Sequence, residues 1–467
     1  MSQADSQTGY IDLREDKVTL GTKFSYGLGA LGKDFACSII YIFLMFYYTD
    51  VAGLSAAFVG TLFLVARIVD AVTDPMMGMV VDNTRTRFGK FRPWILIGTL
   101  VNSFALVAVF STHMLTGTWL YVYAAVTYIL WGVTYTIMDI PYWSMVPALS
   151  CRRAERERLV VWPRIFASIA WMLMGGYGLW AVGILGGDDK GEGFFYLSLA
   201  IVISFVASAL ITFFLVKEQF STPHDAAKFS FKDVKNIIMS NDQLKVLIGV
   251  VLTFNIAIQL IGGFAIYYYT YAVGREDLYP TFALASGAAE IAGVFVFPWL
   301  CRVLPRRKMW LLACAFPMLC SAVLFLTGLV SPESAFLAAL AGAVLKFGGG
   351  LSNGLSTVML ADVVDYGEYR TGQRSESIIF SVQTMLVKFA GALSGFFIGI
   401  GLSLVGYIPN AVQSAETVVG LKFMMIGTPL VLVVLSALIY RSWYKLHDQF
   451  QDKVIAHITA KAPLADN

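Results

Sequence analysis

The sequence predicts an all-α membrane protein of twelve transmembrane helices arranged as two six-helix bundles, and three observations predict it. Hydrophobic residues make up 57% of the 467 and charged residues only 14%, with a mean hydropathy of +0.69, far more apolar than a soluble chain. About a dozen apolar runs reach the roughly 20 residues that a helix needs to cross a bilayer. One polar interruption, residues 217–242, is wider than the others and divides the runs six and six. Barrel strands would be shorter and alternating.

The first six spans are expected at 26–49, 56–81, 94–112, 119–148, 160–184 and 194–216, an N-terminal bundle of 26–216. The second six are expected at 243–272, 279–300, 309–329, 335–364, 378–405 and 418–442, a C-terminal bundle of 243–442. Residues 1–25 and 443–467 are terminal segments, and the tether 217–242 holds Ser221, Thr222, Pro223 and a short amphipathic stretch from Phe229 to Met239. Two bundles joined this way suggest the major facilitator fold. Gly89-Lys-Phe-Arg-Pro-Trp94 after the second span and Leu304-Pro-Arg-Arg-Lys-Met-Trp310 after the eighth form a weak internal echo. A basic cluster ending in Trp is equally the pattern of an interface anchor.

Basic residues gather in alternate connectors: Arg85, Arg87, Lys90 and Arg92; Arg152, Arg153, Arg156 and Arg158; Lys217, Lys228, Lys232 and Lys235; Arg302, Arg306, Arg307 and Lys308. The positive-inside rule makes these connectors and both termini cytoplasmic. Those around His113, Asp188, Arg275, Pro332 and Asn410 then lie outside. A formal charge of +3 leaves no electrostatic footprint for nucleic acid. Cys37, Cys151, Cys301, Cys314 and Cys320 lack metal-ligand spacing and are expected as free thiols. The first 22 residues are polar and acidic, unlike a removable signal peptide. His113, His224, His447 and His457 fall in or near loops and the tail, and are expected to be solvated.

Asp70, Thr73 and Asp74 share one face of the second span at i, i+3 and i+4. An ionised group in hydrocarbon costs roughly 2.5–3.5 kcal/mol on insertion scales, so such groups face a cavity, a partner or an ion path. Thr136 and Asp139 on the fourth span could close a small cation site, whose hard oxygens suit Na⁺, Li⁺ or a proton. Two carboxylates so close repel when both are ionised, which raises the proton affinity of one. The competing reading is that Asp70 or Asp74 neutralises Arg67 on the same face. For a substrate, Asp34 and Asp139 are acceptors, Arg164 and Lys388 donors, and Trp143, four residues after Asp139, offers an indole to the CH face of a sugar ring. Asp139 with Arg164 could instead be an ion pair joining two helices. The run Asp365-Tyr-Gly-Glu-Tyr369, with Arg370 and Arg374, could form salt bridges between bundles that break and reform in rocking. No nucleophile, base and orienter occur together, so an enzyme is not expected. Nor is a cofactor expected beyond a coupling ion.

At these residues the chain resembles the glycoside-pentoside-hexuronide:cation symporter family, and within it the bacterial melibiose carriers most closely. The resemblance spans nearly the whole length. It includes Gly32-Lys-Asp-Phe35, Tyr47-Tyr-Thr-Asp50, Gly60-Thr-Leu-Phe-Leu-Val-Ala-Arg67, Gly89-Lys-Phe-Arg-Pro-Trp94, Tyr135-Thr-Ile-Met-Asp-Ile-Pro141, Asp362-Val-Val-Asp-Tyr-Gly-Glu-Tyr369 and Ser381-Val-Gln-Thr-Met385. It implies a major facilitator fold in a bacterial inner membrane and cation-coupled sugar uptake by a functional monomer. Asp70, Asp74 and Thr136 look like the cation site; Asp34, Asp139, Trp143, Arg164 and Lys388 look like the sugar site, with Lys33, Tyr41, Tyr135, Gln383 and Thr384 lining the cavity. Two positions depart from the melibiose carriers: Thr73 stands in place of Asn at the cation site, and Asn353 in place of Trp beside the sugar. The expected function is therefore symport of a glycoside, a melibiose-like galactoside or related oligosaccharide, with Na⁺, Li⁺ or H⁺. An anionic sugar, a hexuronide or sulfonated glycoside, is the alternative, and a membrane sugar sensor that moves nothing is a third reading.

Overall fold

The computed structural model describes residues 17–150, 153–218, 239–371, 376–446 and 448–461. Twelve of its helices are long and apolar enough to cross a bilayer. In the N-terminal bundle they are α1 (Leu20–Val51), α2 (Ala56–Asp82), α3 (Arg92–Phe110), α4 (Thr118–Ser144), α5 (Arg153–Gly186) and α6 (Lys190–Leu215). The C-terminal bundle comprises α7 (Asp242–Val273), α8 (Leu278–Val303), α9 (Arg306–Val330), α10 (Ala335–Thr371), α11 (Glu376–Leu404) and α12 (Ala415–Trp443). A further helix, α13 (Asp448–Lys461), packs on α10 through Gln451, which donates to Asp362 at 3.1 Å, and through His457 against the Tyr369 ring. The tether from 219 to 238, including the amphipathic stretch expected from Phe229, lies outside the described residues.

Helix starts follow local chemistry. Thr19, Ser55, Asp189, Asn241 and Ser414 each accept a hydrogen bond from a backbone N–H of the first turn, which satisfies a donor that the helix itself cannot. The start of α3 is capped from a distance: Glu218 accepts from the N–H groups of Lys90, Phe91 and Arg92 at 2.9, 2.8 and 3.2 Å. A carboxylate there also suits the positive end of the helix dipole. Gly89 has φ +106°, and a Cβ on it would lie 2.4 Å from Glu218 Oε1, so only glycine admits that cap. The echo at Trp310 has a different role. Trp94 donates to Thr84 at 2.8 Å, whereas Trp310 is fully buried and donates to Ser436 at 3.2 Å; it is core rather than an interface anchor.

The bundles pack on each other through α2 against α11 and α5 against α8. Both contacts need missing side chains. A Cβ on Gly399 would fall 2.3 Å from Ala56 O and 2.7 Å from Gly60 Cα, and one on Gly287 would fall 2.6 Å from Met172 Cγ. Close helix approach in hydrocarbon depends on such small residues. At the same end, away from the basic connectors, polar groups tie the bundles together. Asp50 accepts from Tyr271 and Tyr407, Asn410 donates to the Asp50 carbonyl, Thr49 bonds Tyr267 at 2.9 Å, and Lys190 pairs with Glu276 at 2.9 Å. Burial and the neighbouring Asp50 carboxylate push the Tyr407 phenol far above its ordinary value, so it stays a donor. The bundles are sealed at this end.

Two sequence expectations are corrected here. Arg370 pairs with Asp242 inside the C-terminal bundle rather than across to the other, because α7 begins beside the end of α10; Arg374 lies outside the described residues. His113 is not solvated: its Nδ1 lies 2.9 Å from the Tyr47 hydroxyl and its backbone N–H bonds that same oxygen. His224 and His447 lie outside the described residues. Cys37, Cys314 and Cys320 are free thiols, and Cys151 lies outside the described residues.

Gly399→Val is expected to hold α2 and α11 apart and cut the uptake that the resemblance implies by about tenfold or more, since overpacking a tight contact costs about 1–3 kcal/mol. Uptake normalised to the amount of protein in the membrane measures it. Wild-type uptake would show that closure at this end does not need the contact.

Candidate functional site

Half-way along α1, Lys33 and Asp34 turn into the N-terminal bundle and meet Asp139 of α4. Lys33 Nζ lies 3.2 Å from Asp34 Oδ2 and 3.0 Å from Asp139 Oδ1. The ammonium also sits over the rings of Tyr135, Tyr142 and Trp143 at 5.3–5.9 Å, an aromatic wall that stabilises a cation. Trp171 on α5 donates its indole N–H to Asp34 Oδ1 at 3.2 Å. Asp34 Oδ2 and Asp139 Oδ1 face the ammonium at ion-pair distance, yet neither accepts an aligned hydrogen bond. Both therefore retain acceptor capacity for hydroxyls.

The second group of charges lies on α2 and reaches the other bundle. Arg67 pairs with Asp70 at 2.8 Å and donates to the Tyr41 hydroxyl at 3.1 Å. Asp74 accepts from Thr136 of α4 at 2.9 Å and from Lys388 of α11 at 2.5 Å. The Lys388–Asp74 pair is thus a charge contact between the two bundles. Gly132 leaves room for Asp70 beside α4, since a Cβ there would come within 3.2 Å of Asp70 Oδ1. The Arg67–Asp70 contact is the pairing that the competing reading of the sequence expects. Repulsion between Asp70 and Asp74 is accordingly offset by Arg67 and Lys388.

The two groups meet at one cavity of about 40 Å³ between Asp70, Thr136, Asp139, Lys388, Tyr41 and Tyr135. That is room for an ion or a water and far below the roughly 300 Å³ of a typical small-molecule pocket. A sugar needs these walls further apart.

Several expected residues sit elsewhere. Thr73 donates its hydroxyl to Val69 O at 3.2 Å, a bond within its own helix, and does not reach the carboxylates. Arg164 does not pair with Asp139, whose cation is Lys33; it is exposed on α5, seven residues before Trp171 and so on the same stripe, nearer the basic end. Asn353 lies on α10, bonded to Glu290 at 3.3 Å, away from the α1–α4 cluster. The side chains of Gln383 and Thr384 lie outside the described residues. Sequence reasoning missed Trp171, which reads as one more apolar residue in its span, and the Glu290–Lys346 pair. Single charges in the apolar runs 279–300 and 335–364 were the available signal for that pair.

Residues 25–448 match the family described as MFS/sugar transport protein. A putative glycoside/cation symporter of Escherichia coli (strain K12) is 31% identical over 92% of this chain and 93% of its own length. A putative sulfoquinovose importer of Salmonella typhimurium is 30% identical over 93% of this chain and 91% of its own length. Among solved structures, a D-xylose-proton symporter superposes with a TM-score of 0.66 at 14% identity, covering 92% of this chain and 98% of that one; at that identity the likeness is one of fold.

Lys33→Met should destabilise the protein by about 3 kcal/mol, the usual penalty for leaving a buried charge without its partner. The measurement is the thermal midpoint of the purified protein in detergent. An unchanged midpoint would mean that Asp34 and Asp139 do not depend on Lys33.

Proposed function

Because the chain belongs to the MFS/sugar transport protein family, and one of its relatives is a putative glycoside/cation symporter, we propose that it imports a glycoside together with Na⁺, Li⁺ or H⁺ by alternating access. The cargo is a melibiose-like galactoside or a related oligosaccharide. The observation that carries this reading is the 2.5 Å Lys388–Asp74 pair, which joins the bundles beside the Lys33 cluster.

An entering cation competes with the Lys388 ammonium for Asp74, where Thr136 supplies a further oxygen and Asp70 stands one turn away. Once displaced, Lys388 faces the cavity that Asp139 also lines, and can donate to a sugar hydroxyl. Asp34 and Asp139 accept hydroxyls with the oxygens that lack aligned hydrogen bonds, Trp143 and Tyr135 offer ring faces, and Lys33 bridges the two carboxylates. Cation and sugar therefore strengthen each other's binding, a coupling of typically about 1–3 kcal/mol that is reciprocal by linkage. The basic connectors are the cytoplasmic side, so the sealed end faces outward. Release then occurs toward the cytoplasm as the bundles rock.

A second reading has two observations in its favour. Arg164 is exposed and has no ion-pair partner among the described residues, and a relative is a putative sulfoquinovose importer. An anionic sugar would neutralise it.

Asp74→Cys should retain little ion-driven accumulation, measured as sugar uptake with external Na⁺, Li⁺ and pH varied in turn against wild type. Full accumulation by the variant would remove the mechanism. Arg164→Gln separates the cargo classes: it should leave uptake of neutral glycosides within about twofold, whereas loss of a hydrogen-bonded charge partner would weaken an acidic glycoside by roughly tenfold or more. Uptake confined to acidic glycosides would select the second reading.

A further inference from the structure

The C-terminal bundle carries a charged cluster that the transport cycle above does not use. Glu290, half-way along α8, accepts hydrogen bonds from Lys346 Nζ at 3.2 Å and Asn353 Nδ2 at 3.3 Å, both on α10. The two helices touch closely here, for a Cβ on Gly350 would lie 2.3 Å from Glu290 O. About a third of each charged side chain remains exposed, 33% for Glu290 and 32% for Lys346. Charges with that much exposure at mid-helix depth face water, not acyl chains.

Two observations give the direction. On α10 the exposed positions beside the cluster, Asn353 and Thr357, are polar, whereas exposed positions on the lipid-facing sides of α8 and α9 are large and apolar, as at Phe295, Trp299, Phe325 and Leu326. On α8, Ala283, Gly287 and Glu290 are spaced i, i+4 and i+7 and form one stripe. That stripe is the one packed on α5 of the other bundle, with Met172 against Gly287 and Gly175 against Ala283. The residue before Met172 is Trp171, which bonds Asp34. Glu290 therefore continues the stripe between the bundles one turn toward the basic end, on the side of α8 that meets the helix carrying Trp171.

We propose that Glu290, Lys346 and Asn353 are the C-terminal half of the sugar site and bind the hydroxyls of a second sugar ring, while Asp34, Asp139 and Lys33 hold the first. The inference rests on the glycoside reading above. A carboxylate, an ammonium and an amide within hydrogen-bond distance of one another can accept from one hydroxyl of a vicinal pair and donate to its neighbour, as the Lys33 cluster can from the opposite wall. Each bundle then contributes one carboxylate–lysine set, and a two-ring glycoside engages both whereas a one-ring glycoside engages one.

The test compares uptake of disaccharides with that of the corresponding single-ring methyl glycosides in whole cells, for wild type, Glu290→Gln and the double variant Glu290→Met with Lys346→Met. The ratio of disaccharide KM to single-ring KM should rise by roughly tenfold in Glu290→Gln, the usual effect of losing a hydrogen bond to a charged group. The double variant leaves no unpaired charge, so it reads the same ratio if Glu290→Gln does not reach the membrane. An unchanged ratio in either variant overturns the proposal and makes the pair a clamp between α8 and α10. Uptake of no glycoside of either size by wild type would instead overturn the reading of the Lys33 cluster on which this inference stands.

Discussion

No charge in hydrocarbon can be left without a counter-charge, and that constraint organises the middle of this molecule. Lys33 answers Asp34 and Asp139, Arg67 answers Asp70, Lys388 answers Asp74, and Lys346 answers Glu290. Three of these arrangements lie within one bundle, where they are part of a rigid wall. The fourth crosses from α2 to α11, and any opening of the cleft between those helices must break it. A group that can take the place of Lys388 at Asp74 relieves that cost, and in the proposed cycle that group is a small cation.

The wall itself is set by small residues. Gly60, Gly399, Gly175 and Gly287 bring backbone and short side chains of opposite bundles together at the end sealed by Asp50 and its tyrosines. Tight packing there, with a polar lock above it, confines the opening to the basic end. The charged clusters sit at the inner limit of that packing, so motion about the contact changes their separation while leaving each bundle intact. The coupling proposed between ion and cargo needs no more than this: two ligands that both favour the arrangement in which Lys388 has left Asp74.

Much of the fold was legible because a bilayer leaves helices as the simplest solution. Apolar runs gave twelve spans and a six-plus-six division, and the ends differ mainly where polar residues continue a helix beyond the hydrocarbon, as in α5 from Arg153 and α10 to Thr371. Helical spacing also placed Asp70 and Asp74 on one face. Spacing could not say which cation each carboxylate meets. Asp139 could have paired with Arg164, and it pairs with Lys33, a residue three helices earlier in the chain. Thr73, correct in position by periodicity, spends its hydroxyl on Val69 O, since β-branched hydroxyls in helices bond the preceding turn.

By itself the sequence determined the class of molecule, its helices and the presence of charges that hydrocarbon would otherwise expel, because composition and periodicity act locally. Only the tertiary structure decided how those charges are shared: Lys388 with Asp74 across the bundles, Asp34 with Trp171, and Glu290 with Lys346 in a second cluster. Such pairings depend on where helices distant in the chain approach one another, and in this protein that is set by glycine contacts whose partners no local pattern specifies.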